Sequence, residues 1–261
     1  MTNIFKSLIF LLIFCVSGFA SEPPITLKWN SKDGLERLDS SKYKNDFYQL
    51  ANNFQPQINP LYCGIASSVI LLNTIHEGSK IDSQKGLEVS KPKVFGEGNI
   101  AFNTYSQITF LNDKTDKIKD RKIINLQNIT TENENDVRNF DPGLTLKQLS
   151  KILKTYQLKT TINYVELVDQ KSLAKFKNLL KEVLVDDRQF LLVNFNGKIL
   201  GLKTNGHISP IAAFDDVSDT VLILDVAGHK NGWYWTQVTQ LMKAMNTTDG
   251  DNYRGYLVVS K

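Results

Sequence analysis

Residues 52–75 read NNFQPQINPLYCGIASSVILLNTI, with a cysteine directly before a long apolar run. From Cys63 onward, apolar residues recur at a helical spacing, at positions 65, 66, 69, 70, 72 and 75. A proline shortly before such a run, here Pro60, is typical of the approach to a helix. The pattern therefore predicts an apolar helix over 63–75 whose first residue is a cysteine.

The position of Cys63 favours a chemical role for its thiol. The reactive form of cysteine is the thiolate, and the exposed N–H groups and dipole at a helix N-terminus favour negative charge. The competing interpretation is a small buried core residue, which is what a lone cysteine usually is. The helix start, the glycine at 64 and Gln57 six residues earlier favour a catalytic cysteine.

The N-terminus explains why this thiol would stand alone. Lys6 precedes the run SLIFLLIFCVSGFA, which ends in small residues, and this is the pattern of a secretory signal peptide. The run is shorter than the roughly 20 apolar residues of a membrane span. We expect residues 1–20 to be a signal peptide and residues 21–261 to be one domain without a stable membrane anchor, exported to a periplasm or secreted. Cleavage after Ala20 would remove Cys15, and an unused lone thiol is a liability in an oxidising compartment.

The composition is that of a globular protein. Of the 261 residues, 41% are hydrophobic and 22% are charged, and the formal net charge is only +4. No dense basic patch with interleaved aromatic residues is present in the sequence, so nucleic-acid binding is not expected. Cysteine and histidine spacings typical of a metal site are also lacking, and we expect no metal ligand set, with His76 and His229 in ordinary roles.

The remaining chain predicts an α+β fold. Amphipathic helices are expected over 145–156, with Thr145 as N-cap, and over 169–187. Strands are expected over 159–167, 188–196, 207–216 and 219–227, the last two as a hairpin, and over 253–260. A helix is expected over 235–246. Residues 21–50 resemble a lead-in with little regular structure, and residues 95–110 are expected to hold a turn and a short helix. Helices come mainly before strands, which indicates α+β rather than alternating βαβ units.

Two further residues can complete a catalytic constellation with Cys63. His207 stands where one strand of the predicted hairpin begins, and Asp225 lies at the end of the other. Adjacent antiparallel strands can place such a pair side by side. An imidazole activates a thiol and protonates the leaving amine, and an acid holds the imidazole in the right tautomer. The amide of Gln57, with the backbone N–H of Cys63, could donate to an oxyanion.

The segments FQPQINPLYCGIASSVILLN, GHISPIAAF, LILDVA and RGYLVV, in this order, resemble the catalytic domain of phytochelatin synthases. The resemblance covers roughly residues 50–76 and 188–259. It implies a papain-like cysteine peptidase fold, with the cysteine on an N-terminal helical part and the histidine and aspartate on a C-terminal antiparallel sheet. It also implies Cys63 as nucleophile, His207 as general base and acid, Asp225 as orienting acid and Gln57 as oxyanion donor.

The resemblance further implies that glutathione is the small-molecule substrate. Its Cys–Gly bond would be cleaved through a γ-Glu-Cys thioester on Cys63, and γ-Glu-Cys would pass to water or to a second glutathione. A heavy metal such as cadmium or zinc would take part as a metal–glutathione thiolate substrate rather than through a recognisable binding motif. The family also suggests a homodimer.

The sequence departs from the family pattern in ways that bear on the reaction. Gly228 stands where the family usually has an arginine after DVA, and the chain ends at Lys261 without the cysteine-rich second half of plant-type members. Hydrolysis is therefore expected to outweigh transfer. Arg254, Gly206 and Tyr62 are candidates for contact with substrate, and Arg188 is a further candidate for a substrate carboxylate.

Two other function classes remain open at this stage. A papain-like peptidase acting on peptides orders its glutamine, cysteine, histidine and aspartate in the same way, although HISPI is unlike the stretch such peptidases carry after the histidine. A non-enzymatic thiol protein that binds metal or glutathione through Cys63 would need no His207–Asp225 pair.

Overall fold

The computed structural model describes residues 26–81, 86–125 and 143–261. The helices are α1 (Lys32–Ser40), α2 (Asn45–Asn52), α3 (Cys63–Ile75), α4 (Asp113–Asp116), α5 (Arg121–Ile124), α6 (Leu146–Thr155), α7 (Gln170–Val183) and α8 (Val238–Met245). The strands are β1 (Thr26–Lys28), β2 (Gly86–Ser90), β3 (Asn99–Tyr105), β4 (Lys159–Tyr164), β5 (Gln189–Asn196), β6 (Gly206–Asp215), β7 (Thr220–Ile223), β8 (Tyr234–Gln237), β9 (Thr248–Asp249), β10 (Asn252–Tyr253) and β11 (Gly255–Ser260). Single 3-10 turns occupy Lys93–Phe95 and Gly197–Leu200.

A seven-stranded sheet in the order β1-β8-β7-β6-β5-β11-β4 organises the chain. Every neighbouring pair in it is antiparallel. Successive side chains of a strand point to opposite faces, and the sheet accordingly separates two apolar clusters. On one face Leu192 and Leu257 share a cluster with α3 and α6, and on the other Val193 and Tyr256 share a cluster with α7 and α8. The predicted α+β class is confirmed.

Helix α3 lies on the sheet and begins at Cys63, as its apolar run predicted. Its side chains are buried nearly all round, which is what a helix without a polar face requires. The three buried hydroxyls in it are all satisfied, Ser68 by the Gly64 carbonyl oxygen (2.7 Å), Ser67 by the Ile208 carbonyl oxygen (3.1 Å) and Thr74 by the Gln49 carbonyl oxygen (3.4 Å). The second bond ties α3 to β6 directly beside His207.

Several predicted elements are confirmed where local signals are strong. Helix α6 begins after Thr145, whose hydroxyl accepts from the Gln148 N–H (3.3 Å) in a capping box. Helix α7, strands β4, β5 and β11, and the hairpin of β6 and β7 also lie within or close to their predicted ranges. Strand β7 ends at Ile223, however, so Asp225 lies just beyond the strand rather than at its end.

Three predictions about secondary structure are wrong. The segment 21–50, predicted to have little regular structure, contains β1, α1 and α2 within its described part. The predicted helix over 235–246 is wrong at its start, where residues 235–237 belong to strand β8, because β8 pairs with both β1 and β7; the rest of it is confirmed as α8 (Val238–Met245). Residues 99–105 form β3, which pairs with β2, where a short helix was expected. Pairing with another strand decides the conformation of β8 and β3, whereas α1 begins at a local cap, in which the Ser31 side chain accepts from the Gly34 N–H (3.1 Å).

Some predictions fall on residues outside the described part of the chain. The predicted signal peptide, residues 1–20 with Cys15, is one of them, because the described part of the chain begins at residue 26. Within the described ranges, no helix combines the length and the apolar character needed to cross a membrane.

Asp46 is a fully buried carboxyl group in the first turn of α2. Neither of its oxygens has a hydrogen-bond partner among the described residues. Burial, and secondly the negative charge of Asp186, raise the pKa of Asp46 from 3.8 to about 9. Asp186 can supply that charge because its hydrogen bonds, first of all with Arg188, lower its own pKa to about 2.

The substitution Asp46→Asn is expected to stabilise the protein at alkaline pH. The pKa of Asp46 is higher in the folded state than its ordinary value of 3.8, so stability is lost as pH rises from about 4 to about 9. Asparagine does not titrate, and D46N should match the native protein at pH 4. At pH 8.5 its Tm should be higher by at least about 2–4 °C, or about 1 kcal/mol for a chain of this size. Thermal unfolding followed by circular dichroism measures this, with exposed Asp39→Asn as the control. A Tm difference that does not grow with pH would contradict the prediction.

Candidate active site

Cys63 is the first residue of α3, and its side chain is a partly exposed free thiol. The preceding residue, Tyr62, does not cap the helix with its side chain, because its hydroxyl donates instead to the Asn125 Oδ1 atom (2.5 Å). The first-turn N–H groups have no carbonyl partners within the helix, and with the helix dipole they favour negative charge at this end. The fold therefore presents the thiol at the positive end of the helix dipole.

His207 is the second residue of β6 and is only 3% exposed. Its Nε2 atom lies 2.7 Å from the Asp225 Oδ1 atom, and its side chain also hydrogen-bonds the Cys63 thiol. Because Nε2 faces the carboxylate, Nδ1 is the ring nitrogen left to face Cys63. The edge-to-face packing of Phe195, with ring centroids 5.6 Å apart, further restricts the imidazole. The structure thus brings together three residues that are far apart in the sequence.

The protonation of this group follows from its surroundings. Burial opposes a charge on His207, but hydrogen bonds with Asp225 and Cys63 and their charges outweigh burial and raise the pKa of His207. For Asp225 burial also opposes the charge, but the hydrogen bond and charge of His207, with backbone and amide donors, lower the pKa of the carboxyl overall. The arrangement favours an imidazolium held between a carboxylate and the sulfur atom, as an activated cysteine nucleophile needs.

Two residues of the site were missed in the sequence. The Ser209 hydroxyl lies 3.1 Å from the His207 Nε2 atom and accepts a hydrogen bond from the Val226 N–H (3.3 Å). Its spacing of two residues from His207 along one strand was a usable signal. The Asn231 amide donates to the Asp225 Oδ2 atom (3.0 Å). It carries no comparable signal, because a loop brings it there.

Gln57 is held beside the Asp225 loop, since its backbone N–H donates to the Val226 carbonyl oxygen (2.9 Å). Its side-chain Nε2 donates to the carbonyl oxygens of Asn59 (2.9 Å) and Pro60 (3.0 Å). Its Oε1 atom is buried and has no donor within the described ranges. Donation to an oxyanion would therefore require one of the two amide bonds to be released, and the oxyanion role stays a prediction.

The residues predicted to contact substrate, Arg254, Gly206 and Tyr62, lie beside the catalytic residues. Arg254 covers Gly206, the neighbour of His207, since a Cβ atom at position 206 would lie 2.7 Å from the Arg254 Nη2 atom. Its guanidinium also lies 3.6 Å from the Asp249 carboxylate and donates to the Thr247 hydroxyl (3.2 Å). Tyr62 adjoins the nucleophile in the chain, but its ring is largely buried.

Arg188 is not part of this site. It precedes β5, whose opposite end carries Phe195, the register partner of His207. The six residue-to-residue steps from Gln189 to Phe195 span about 20 Å of strand. Arg188 is exposed there and pairs with Asp186 at 3.0 Å. The expectation that it contacts substrate at this site is therefore wrong.

The other histidines and the Asp225 loop complete the surroundings. His76 follows α3 and packs against the Tyr105 ring at 5.6 Å, and His229 is exposed in the loop after Asp225. A Cβ atom at Gly228 would lie 3.8 Å from the Pro56 Cβ atom, so position 228 faces the segment that carries Gln57. Among residues 26–81, 86–125 and 143–261, no cluster of three or more histidine, cysteine or acidic side chains is arranged to hold a metal ion.

Comparisons with known proteins identify the family that this chain resembles. A family model described as phytochelatin synthase matches residues 20–256. The chain is 22% identical over 227 residues to a glutathione gamma-glutamylcysteinyltransferase of Schizosaccharomyces pombe, an alignment covering 86% of this chain and 45% of the relative. It is 21% identical over 257 residues to glutathione gamma-glutamylcysteinyltransferase 1 of Arabidopsis thaliana, covering 91% and 42%. A shorter alignment of 95 residues with a Lotus japonicus enzyme of the same name, numbered 3, is 32% identical and covers 36% and 20%. The chain thus spans less than half the length of these curated relatives.

Proposed function

The chain belongs to the phytochelatin synthase family, and from this premise we propose that it is a cysteine-dependent glutathione γ-glutamylcysteinyltransferase with a papain-like catalytic domain. The observation that carries the proposal is the Cys63–His207–Asp225 group, in which one buried imidazole bonds both the thiol and a carboxylate. The relatives named above are described as enzymes that transfer a γ-glutamylcysteinyl group. A thiol activated in this way is the nucleophile such a transfer requires.

In the first half-reaction the Cys63 thiolate attacks the carbonyl carbon of the Cys–Gly bond of glutathione. The tetrahedral oxyanion would accept hydrogen bonds from the Cys63 N–H and from Gln57, once the amide of Gln57 leaves a backbone carbonyl. His207 then gives its Nδ1 proton to the glycine nitrogen as the C–N bond breaks. Glycine departs, and γ-Glu-Cys remains bound as a thioester on Cys63.

In the second half-reaction His207, now neutral, removes a proton from the attacking group. Water yields free γ-Glu-Cys, and the α-amino group of a second glutathione yields a phytochelatin with one more γ-Glu-Cys unit. Both routes expel the Cys63 thiolate and restore the imidazolium. We propose hydrolysis as the major route, because Gly228 offers no side chain to an acceptor beside Pro56, where the family usually has an arginine.

Cadmium or zinc would enter this reaction as part of the substrate. Metal ions of this kind bind glutathione through its thiolate, and the complex would present the same Cys–Gly bond to Cys63. The proposed site of action is outside the cytoplasm, after removal of residues 1–20, and the proposed assembly is a homodimer. N-terminal sequencing of the exported protein and light scattering of the purified protein test these two proposals.

Mass spectrometry of the products tests the proposed function. The purified protein is incubated with glutathione, with and without cadmium, and glycine, γ-Glu-Cys and longer oligomers are quantified. Glycine with γ-Glu-Cys as the main product is the expected result. A series of γ-Glu-Cys oligomers that becomes more abundant with cadmium would show that transfer, and not hydrolysis, is the major route. No glycine release under either condition would contradict the proposal and favour an enzyme that cleaves peptides.

Arg254→Ala is expected to weaken glutathione binding more than it slows the chemical step. The Arg254 guanidinium lies beside Gly206, the neighbour of His207, so a positive group stands next to the catalytic histidine and can pair with a carboxylate of glutathione. KM for glutathione should rise about tenfold, the effect of one lost charge-assisted hydrogen bond, while kcat changes less. Steady-state glycine release measures both constants. Arg188→Ala, at the far end of β5, is the matched control and should stay within about twofold of native. A KM for Arg254→Ala equal to the native value would exclude this contact.

A further inference from the structure

Asn231 makes two hydrogen bonds that join the two loops of the active site. We propose that Asn231 is a positioning residue, which holds the Asp225 carboxylate in the orientation that hydrogen-bonds His207. Its Nδ2 group donates to the Asp225 Oδ2 atom (3.0 Å), and its Oδ1 atom accepts from the Lys203 N–H (3.3 Å). The inference rests on the proposed function, because it assigns Asn231 a part in the same cysteine-dependent reaction.

The two oxygen atoms of the Asp225 carboxylate accept hydrogen bonds from different partners. The Oδ1 atom accepts from the His207 Nε2 atom and from the Ala227 N–H, both at 2.7 Å. The Oδ2 atom accepts from Asn231. Asp225 is 0% exposed, so water cannot easily replace a lost donor. Asn231 therefore fixes the rotation of the carboxylate that aims Oδ1 at the imidazole.

Asn231 also connects Asp225 to the segment that leads into the strand of His207. Lys203 lies in the loop that leads from the 3-10 turn after β5 into β6, four residues before His207. Asn231 is itself anchored, since its backbone N–H donates to the Ala227 carbonyl oxygen (3.1 Å). One side chain thus spans the loop before the histidine and the loop after the aspartate. The two hydrogen bonds also establish which end of the amide is the donor.

Asn231 also acts electrostatically on Asp225. The pH dependence of the active site is therefore a readout that a merely structural role of Asn231 would not change. The amide of Asn231 is one of the groups that lower the pKa of Asp225. In the described part of the chain, the ionisable side chains that interact with Asp225 and His207 include Cys63 from α3 and Tyr234 from β8. Burial, and secondly the charge of Asp225, raise the pKa of Tyr234 well above its ordinary value. A carboxylate at position 231 would add a like charge beside Asp225 and raise the pKa of Asp225.

The test uses the full-length chain with Cys15→Ser, so that Cys63 is the only thiol. The rate of alkylation by iodoacetamide is measured from pH 4 to 10 for the parent, Asn231→Asp, Asn231→Ala and Asn205→Asp. N231D keeps the size and the acceptor for Lys203 but loses the donor to Asp225. N205D makes the same chemical change at an exposed residue two positions before His207. Thermal unfolding establishes that each variant is folded.

The expected result is a shift of the acid limb for N231D to higher pH, by about one pH unit, because the added charge opposes the thiolate. N205D should leave the profile unchanged. With glutathione, N231A and N231D should lower kcat about tenfold, with KM for glutathione within about twofold of the parent. If N231D fails to fold, the kcat and KM of N231A decide the question. Coincident profiles and rates for the parent and the Asn231 variants would overturn the proposal, as would an equal shift for N205D.

The alkylation readout separates this inference from the proposed function. Iodoacetamide reports the state of the Cys63 thiol whether or not glutathione is the substrate. A parent protein that releases no glycine but shows the N231D shift would refute the reaction and keep the positioning role. A parent that releases glycine with an unshifted N231D profile would refute the positioning role alone.

Discussion

Cys63→Ser is expected to abolish both glycine release and the thioester intermediate. The hydroxyl of serine ionises far less readily than a thiol, and the helix terminus and His207 suit a thiolate rather than an alkoxide. The rate of glycine release should fall by at least about 10⁴-fold, which is typical for loss of a covalent nucleophile. Rapid quenching in acid and intact-protein mass spectrometry should show an added γ-Glu-Cys mass on the native protein and none on C63S.

The control for this prediction is the other cysteine of the chain. Cys15→Ser should retain full activity, because Cys15 lies in the segment interpreted as a signal peptide. Glycine release by C63S at a rate near that of the native protein would show that the reaction does not pass through Cys63. It would also remove the basis for assigning His207 and Asp225 to catalysis.

His207→Ala has the second-largest expected effect. The imidazole hydrogen-bonds the Cys63 thiol and the Asp225 carboxylate, so its removal takes away both the partner of the thiolate and the acid for the departing glycine. Removing one member of a catalytic triad costs about 10³-fold or more. The single-turnover rate of glycine release from glutathione measures this loss. His229→Ala, which changes an exposed loop histidine, should remain within about twofold of native.

This second variant also separates the enzyme from a non-enzymatic thiol protein. H207A keeps the Cys63 thiol, so a protein that only binds metal or glutathione through that thiol would retain its function. Retention of cadmium binding together with loss of glycine release supports the enzymatic proposal. Full function in H207A, measured as glycine release, would refute it.

The sequence by itself predicted those elements of the site that depend on residues close together in the chain. The apolar periodicity after Pro60 predicted that α3 would begin at Cys63, and the structure begins it there. The Thr145 cap predicted the start of α6, and the two strand-like runs HISPIAAF and TVLIL, separated by a turn, predicted the β6–β7 hairpin. These signals act between residues a few positions apart, where helix and strand periods and caps are decided. The order of Gln57, Cys63, His207 and Asp225 then allowed a family resemblance to be stated.

The tertiary structure decided everything that depends on where distant segments meet. Strand β8 looked helical until its pairing with β1 and β7 was known. The side-chain amide of Gln57 donates to two backbone carbonyl oxygens. Asp46 is a buried carboxyl group without a hydrogen-bond partner among the described residues. Asn231 reached Asp225 only because a loop folds back after β7. Loop paths and burial arise from packing between elements far apart in the chain, and no local pattern of residues encodes them.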